Sequence, residues 1–209
     1  MNNSTTNKVY LHNKNNSNNT TITIPQTSAI TTSVTGNNYC LTLQESALEY
    51  CLQTESTIER VAQWFLSMSP MTHKKLQKLC YYAYCWFIVY YNDLERITED
   101  NMSDIRVLCS DRFQAWIHGP VSPRLYQRYR EYGWQDIPKV ISKPTVPAEI
   151  ETLLTDVWDA YGSFTAAQLE AISHSETPWK NARRGLSCGE ACSNEISNYD
   201  ILIYYSSLE

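Results

Sequence analysis

The sequence is short of basic residues and glycines and has no long apolar run, and each shortage excludes a class of protein. Seventeen Lys and Arg stand against 22 Asp and Glu, for a net charge of −5. That is not the basic surplus of a general nucleic-acid binder, so DNA binding is not expected. No apolar stretch reaches the ~18 residues that a membrane span requires. The chain opens on Asn, Ser and Thr instead of a basic stretch followed by an apolar one, so no signal peptide is expected either. The six glycines form neither a phosphate loop nor a dinucleotide fingerprint. Seven cysteines include no C-x-x-C pair, and the four histidines include no H-x-x-x-H pair. No metal, cofactor or small-molecule substrate is therefore expected. Cys80 and Cys85 lie in an apolar run, while Cys188 and Cys192 flank a Gly-Glu loop across which they can reach one another. The plain reading is free, mostly buried thiols in a reducing cytoplasm.

What is abundant is aromatic: 15 Tyr and 6 Trp, residues that either fill cores or anchor protein interfaces. Residues 1–41 are rich in Asn, Thr and Ser and lack sustained periodicity, which reads as a disordered tail. An arm that orders on a partner is the alternative, and the β-branched cluster Thr20–Ile24 is a candidate lone strand. The expected domain is 42–209, with its core from about 56. A weak helical pattern over Leu43–Thr54 precedes a stronger one over Thr57–Met68, where Ile58, Val61, Ala62, Phe65 and Leu66 share a face. Thr72 caps a helix running to about Tyr91 that is apolar nearly all round, the mark of a central element. Lys74, Lys75 and Lys78 gather on its polar side near the N-terminus, where cations oppose the helix dipole. They read either as a solvated face or as a binding group.

A short helix is expected over Asp93–Glu99, then two extended pieces, Ile105–Leu108 and Arg112–Ile117, forming a small hairpin that His118-Gly119-Pro120 terminates. Ser122-Pro123 starts a helix to about Tyr132, stopped by Gly133. Residues 134–147 read as a Pro-rich loop, followed by a helix over Ala148–Tyr161. Thr165-Ala166-Ala167-Gln168 is a capping box for a helix ending near Ser173. Thr177-Pro178-Trp179 opens another, and Ser197-Asn198-Tyr199-Asp200 opens a terminal one. The fold class that follows is mainly α with a small β-hairpin.

His118 and His174 each sit beside a turn. A metal reading requires converging ligands, and a hydrolase built on the two requires a nucleophile with an oriented base; no local spacing supplies either. Buried histidines that fix turns are the plainer reading. Trp116 and Trp179, also beside turns, read as core plugs.

Three blocks carry a resemblance. They are Met71-Thr72-His73-Lys74-Lys75-Leu76-Gln77-Lys78-Leu79 with Tyr81-Tyr82-Ala83; Ala115-Trp116-Ile117-His118-Gly119-Pro120-Val121 with Leu125-Tyr126 and Tyr132-Gly133; and Ala171–Trp179 with His174, Glu176, Pro178 and Trp179. In this order they resemble the Panacea-domain, or SocA-like antitoxin, family, from about Ser56 to the C-terminus. The resemblance implies a helical domain with a small β element that binds and neutralises a cognate toxin encoded beside it. It does not identify the toxin, and self-association stays open. Lys74, Lys75, Lys78, His118, Tyr126, Arg128 and Arg130 are the expected toxin-facing residues, and charge reversal among them is expected to leave the fold intact. Thr72, Leu76, Leu79, Trp116, Gly119, Pro120, His174, Pro178 and Trp179 form the structural part of the motif. Two other readings remain: an adaptor that hands a bound protein to a protease or regulator, and the hydrolase using His118 and His174.

Overall fold

One helix of 19 residues, α2 (His73–Tyr91), is buried from its first residue to Val89, with only Lys74 and Lys75 reaching out. Its Thr72 hydroxyl accepts from the Lys75 amide at 3.4 Å, the expected cap. The computed structural model describes residues 8–11, 20–23, 57–187 and 189–208. The disordered tail and the Leu43–Thr54 helix expected from the sequence lie outside them, apart from a strand pair, as does Cys188. That pair is β1 (Lys8–Leu11) and β2 (Thr20–Thr23), antiparallel, so the expected strand near Thr20 is not alone.

Around α2 lie α1 (Thr57–Met68), α4 (Ala148–Tyr161), α5 (Ala166–Ser175) and α7 (Asn198–Ser206). Each lays an apolar stripe on α2: Ile58, Val61 and Phe65; Leu153, Leu154 and Val157; Leu169; Ile201, Leu202 and Tyr205. The contacts are largely aromatic. Tyr82 stacks on Tyr161 at 4.1 Å between ring centres, and Tyr205 meets Trp86 edge-on at 5.4 Å. The Trp86 indole donates to the Tyr161 hydroxyl at 3.2 Å, so a buried polar tip is paired. Each fully buried ring is worth about 1.5–3 kcal/mol, and α2 supplies five of them (Tyr81, Tyr82, Tyr84, Trp86 and Phe87), which makes it the spine of the domain. The fold is mainly helical, as expected.

Two small antiparallel pairs are set against this bundle. β3 (Met71–Thr72) pairs with β6 (Asp136–Ile137), inside the stretch expected to be a plain loop. β4 (Gln114–Trp116) pairs with β5 (Gly119–Val121) in the register Trp116↔Gly119. The hairpin therefore differs from the expected one. His118-Gly119-Pro120 does not end a ribbon; it supplies the turn and the returning strand. Neither Ile117 nor His118 has positive φ, and the left-handed residue is Gly119 at +92°. Ile105–Leu108 is not a strand; its Arg106 backbone pairs with the Asn92 side chain, which accepts from the Arg106 amide at 2.8 Å and donates to the Arg106 carbonyl at 2.9 Å. On the other side of β4, Ala115 donates to Asn194 and Ile196 donates to Phe113. Residues 94–96 and 99–104 form two 3-10 turns where one short helix was expected. α3 (Pro123–Tyr129) is capped by Ser122 and tightens into a 3-10 turn over Arg130–Tyr132 before Gly133. α6 (Thr177–Arg183) follows α5 with Pro178 in its first turn.

Candidate functional site

The three sequence blocks meet at the β4–β5 hairpin, and side chains from two helices, α2 and α6, donate to its backbone. β5 is an edge strand, and its Pro120 has no amide to offer. The Pro120 carbonyl is taken by the Lys78 ammonium at 3.0 Å. Next along, the Gln77 carboxamide pairs with Ser122 in both directions: the Ser122 amide donates to Oε1 at 2.8 Å, and Nε2 donates to the Ser122 carbonyl at 3.2 Å. Gln77 thus stands in for a neighbouring strand. Its second amide hydrogen goes to His73 Nε2 at 3.0 Å, one helical turn away, which requires the Nδ1–H tautomer of a neutral ring. Burial, with Lys78 nearby, lowers the His73 pKa to about 4, in keeping with that role.

From the other side α6 holds β4. The Trp179 indole donates to the Trp116 carbonyl at 3.1 Å, and Arg183 donates to the Ala115 carbonyl at 3.0 Å. The same guanidinium donates to Ser187 at 2.7 Å and Glu190 at 2.6 Å, while lying over the Trp179 ring. His174 also stacks on that Trp, with ring centres 4.1 Å apart. Gly119 is pressed between the clamps. A Cβ there would stand 2.7 Å from both Lys78 Cε and Ser173 Oγ. Beneath lies Glu176, buried and accepting from the Tyr205 hydroxyl at 2.8 Å; burial raises its pKa to about 8, so the fold holds it largely protonated at neutral pH.

What remains outward is the hairpin tip and its surroundings. His118 is 63% exposed and its Nδ1 lies 2.8 Å from Glu170, which also pairs with Lys74 at 2.7 Å. Burial pushes the Glu170 carboxyl up, but the bonds from Lys74 and His118 outweigh it and hold it below the usual range. Trp116 packs on the half-exposed Tyr126 at 4.9 Å.

The expected toxin-facing set is therefore divided. Lys78 is 1% exposed, and burial lowers its pKa to about 7; it belongs to the clamp, and reversing its charge would break the fold. Lys75 donates to the Gly162 carbonyl at 2.6 Å, closing the C-terminus of α4. Arg128 turns away from Tyr126, two residues or about 200° round the helix, towards Glu59 at 3.8 Å. With Asp111, Arg124 and Gln127 these two line an open polar groove of about 660 Å³. Lys74, His118, Tyr126 and Arg130 stay on the outer side. His118 is not buried, contrary to expectation. His174 is half-buried, and burial lowers its pKa, with Lys78, Arg183 and His118 adding to the effect. Trp179 is a core plug as expected.

Chemically the site offers little to a substrate. Ser173 is fully buried and donates to the Glu170 carbonyl. Among the described residues no group of three His, Cys, Asp or Glu is placed to hold a metal, and no helix is long and apolar enough to cross a membrane. Arg183, Ser173 and Glu170 were not singled out from the sequence, and Ser122 only as a helix cap. Nothing local marks what they do here, since Arg183 reaches Ala115, Glu170 reaches Lys74 and His118, Ser122 pairs with Gln77, and Ser173 lies against Gly119. Gln77 was legible in principle as a polar residue one turn from His73 inside an apolar helix.

Residues 76–180, half of the chain, match the family model described as antitoxin SocA-like, Panacea domain. No curated protein and no solved structure matches the chain.

Proposed function

The chain belongs to the SocA-like antitoxin, Panacea-domain family, and from that premise we propose that it neutralises a toxin encoded beside it by binding that toxin directly, in the cytoplasm and without catalysis. The observation that supports this is the clamp. Lys78, Gln77, Trp179 and Arg183 all direct their donors at hairpin backbone, and the matched blocks hold a rigid tip instead of lining a cavity. A pre-organised protrusion loses little freedom on association, which favours protein binding. The proposed toxin-facing side carries Lys74, His118, Tyr126 and Arg130. Purified chain mixed with purified toxin tests this. Stoichiometric inhibition without nucleotide or protease supports it, whereas inhibition only when a protease is added assigns the adaptor role instead.

A further inference from the structure

Resting on that reading, we infer that the toxin presents an acidic segment with aromatic or aliphatic side chains, and that it docks on the aromatic ridge running from Trp116 to Tyr132, with the exposed Trp134 two residues beyond its end. Ring follows ring along this ridge. Trp116 lies 4.9 Å from Tyr126, Tyr126 lies 5.5 Å from His73, His73 lies 6.4 Å from Tyr129, and Tyr129 lies 6.4 Å from Tyr132. The middle of the row is buried, while Tyr126 and Tyr132 are each 38% exposed and Trp134 is 85% exposed. Large apolar side chains held outward this close together mark an interaction surface, and locked aromatic rings present area at low entropic cost.

The charge of the occupant follows from α3. Its sequence, Pro-Arg-Leu-Tyr-Gln-Arg-Tyr, contains no acid. Arg124 is matched by Asp111 and Arg128 by Glu59, both on the groove side. Arg130, one turn beyond Tyr126 and on its face, makes no ion pair among the described residues. An unmatched guanidinium beside exposed tyrosines suits a carboxylate flanked by apolar groups, since Arg binds carboxylates through two parallel hydrogen bonds.

Arg130→Glu and Trp134→Ser alter side chains outside the core, and Arg128→Gln serves as the control on the other face. The affinity of each for the toxin that wild type neutralises is measured by titration calorimetry, with thermal melts to check folding. The expected result is a loss of at least tenfold for Arg130→Glu and Trp134→Ser and less than twofold for Arg128→Gln. One Asp or Glu of the toxin, changed to Arg, should restore binding to Arg130→Glu alone. If wild type binds and both ridge variants bind within twofold of it, the ridge is not the dock, although the antitoxin reading stands. If Arg130→Glu loses affinity but no acid reversal restores it, the acidic segment is wrong. If the ridge variants change only self-association, the occupant is a second copy of this chain, which also overturns the inference. If wild type binds no neighbouring gene product, the antitoxin reading itself fails, and this inference with it.

Discussion

Replacing Gly119 with Ala tests the clamp at its tightest point. The residue has φ +92°, a conformation that costs an L-residue about 1–2 kcal/mol. The new Cβ would also meet Lys78 Cε and Ser173 Oγ at 2.7 Å. Neither neighbour yields easily: Lys78 is pinned by the Pro120 carbonyl, and Ser173 is fully buried and bonded to Glu170. Overpacking of this kind adds about 1–3 kcal/mol, for a total of about 2–5 kcal/mol. Gly185 supplies an internal control, because it has φ +80° but nothing within 4 Å of an added Cβ. Gly185→Ala should show the backbone cost alone, about 1–2 kcal/mol. Urea unfolding of both variants reads the difference. Equal losses would mean that Lys78 and Ser173 do not hold the hairpin as described, and the clamp would be refuted.

Three further outcomes follow from the same geometry. Glu176, whose folded pKa is raised from 4.5 to about 8, contributes stability that is full below pH 4.5 and lost as pH rises to 8. Relative to wild type, Glu176→Gln should gain with rising pH across that window, by up to about 1.4 kcal/mol per unit, read from melts at several pH values; a parallel pair of curves would contradict it. His73, lowered to about 4, acts in the opposite direction between 4 and 6.5, and Lys78, lowered to about 7, between 7 and 10.5, so each is removed by taking the difference. Arg183→Lys should destabilise by about 3 kcal/mol in denaturant titration, since an ammonium cannot reach three carbonyls at once and a stranded buried acceptor costs about 1–3 kcal/mol. His118→Ala, at a largely exposed side chain in contact with Glu170, should change stability by less than about 1 kcal/mol. A hydrolase built on His118 would instead lose turnover in this folded variant.

The helices were legible because their signals are local. Thr72, Ser122, Thr165 and Ser197 each cap the helix they were expected to cap, each accepting from an amide three residues on. α1 and α4 span the same residues that their periodicity indicated. The site was less legible because its partners are remote. Lys78 shares a helix face with Lys74, but a carbonyl 42 residues away buries it, and periodicity carries no trace of that. Pro120 argued for an end to the ribbon. Its missing amide is harmless on an edge whose carbonyl another helix satisfies, and that satisfaction is a tertiary event. No local pattern marks Arg183, yet it joins β4 to the 187–190 segment.

The most direct measurement co-expresses this chain with each neighbouring open reading frame and scores growth, using the full chain and a version beginning at Thr42. The expected result is that one neighbour is toxic alone and harmless in the presence of the full chain, with rescue lost when Arg130 and Trp134 are changed in a protein that still folds. If no neighbour is toxic, or if a toxic one is not rescued, the chain shares the family's fold without acting as an antitoxin.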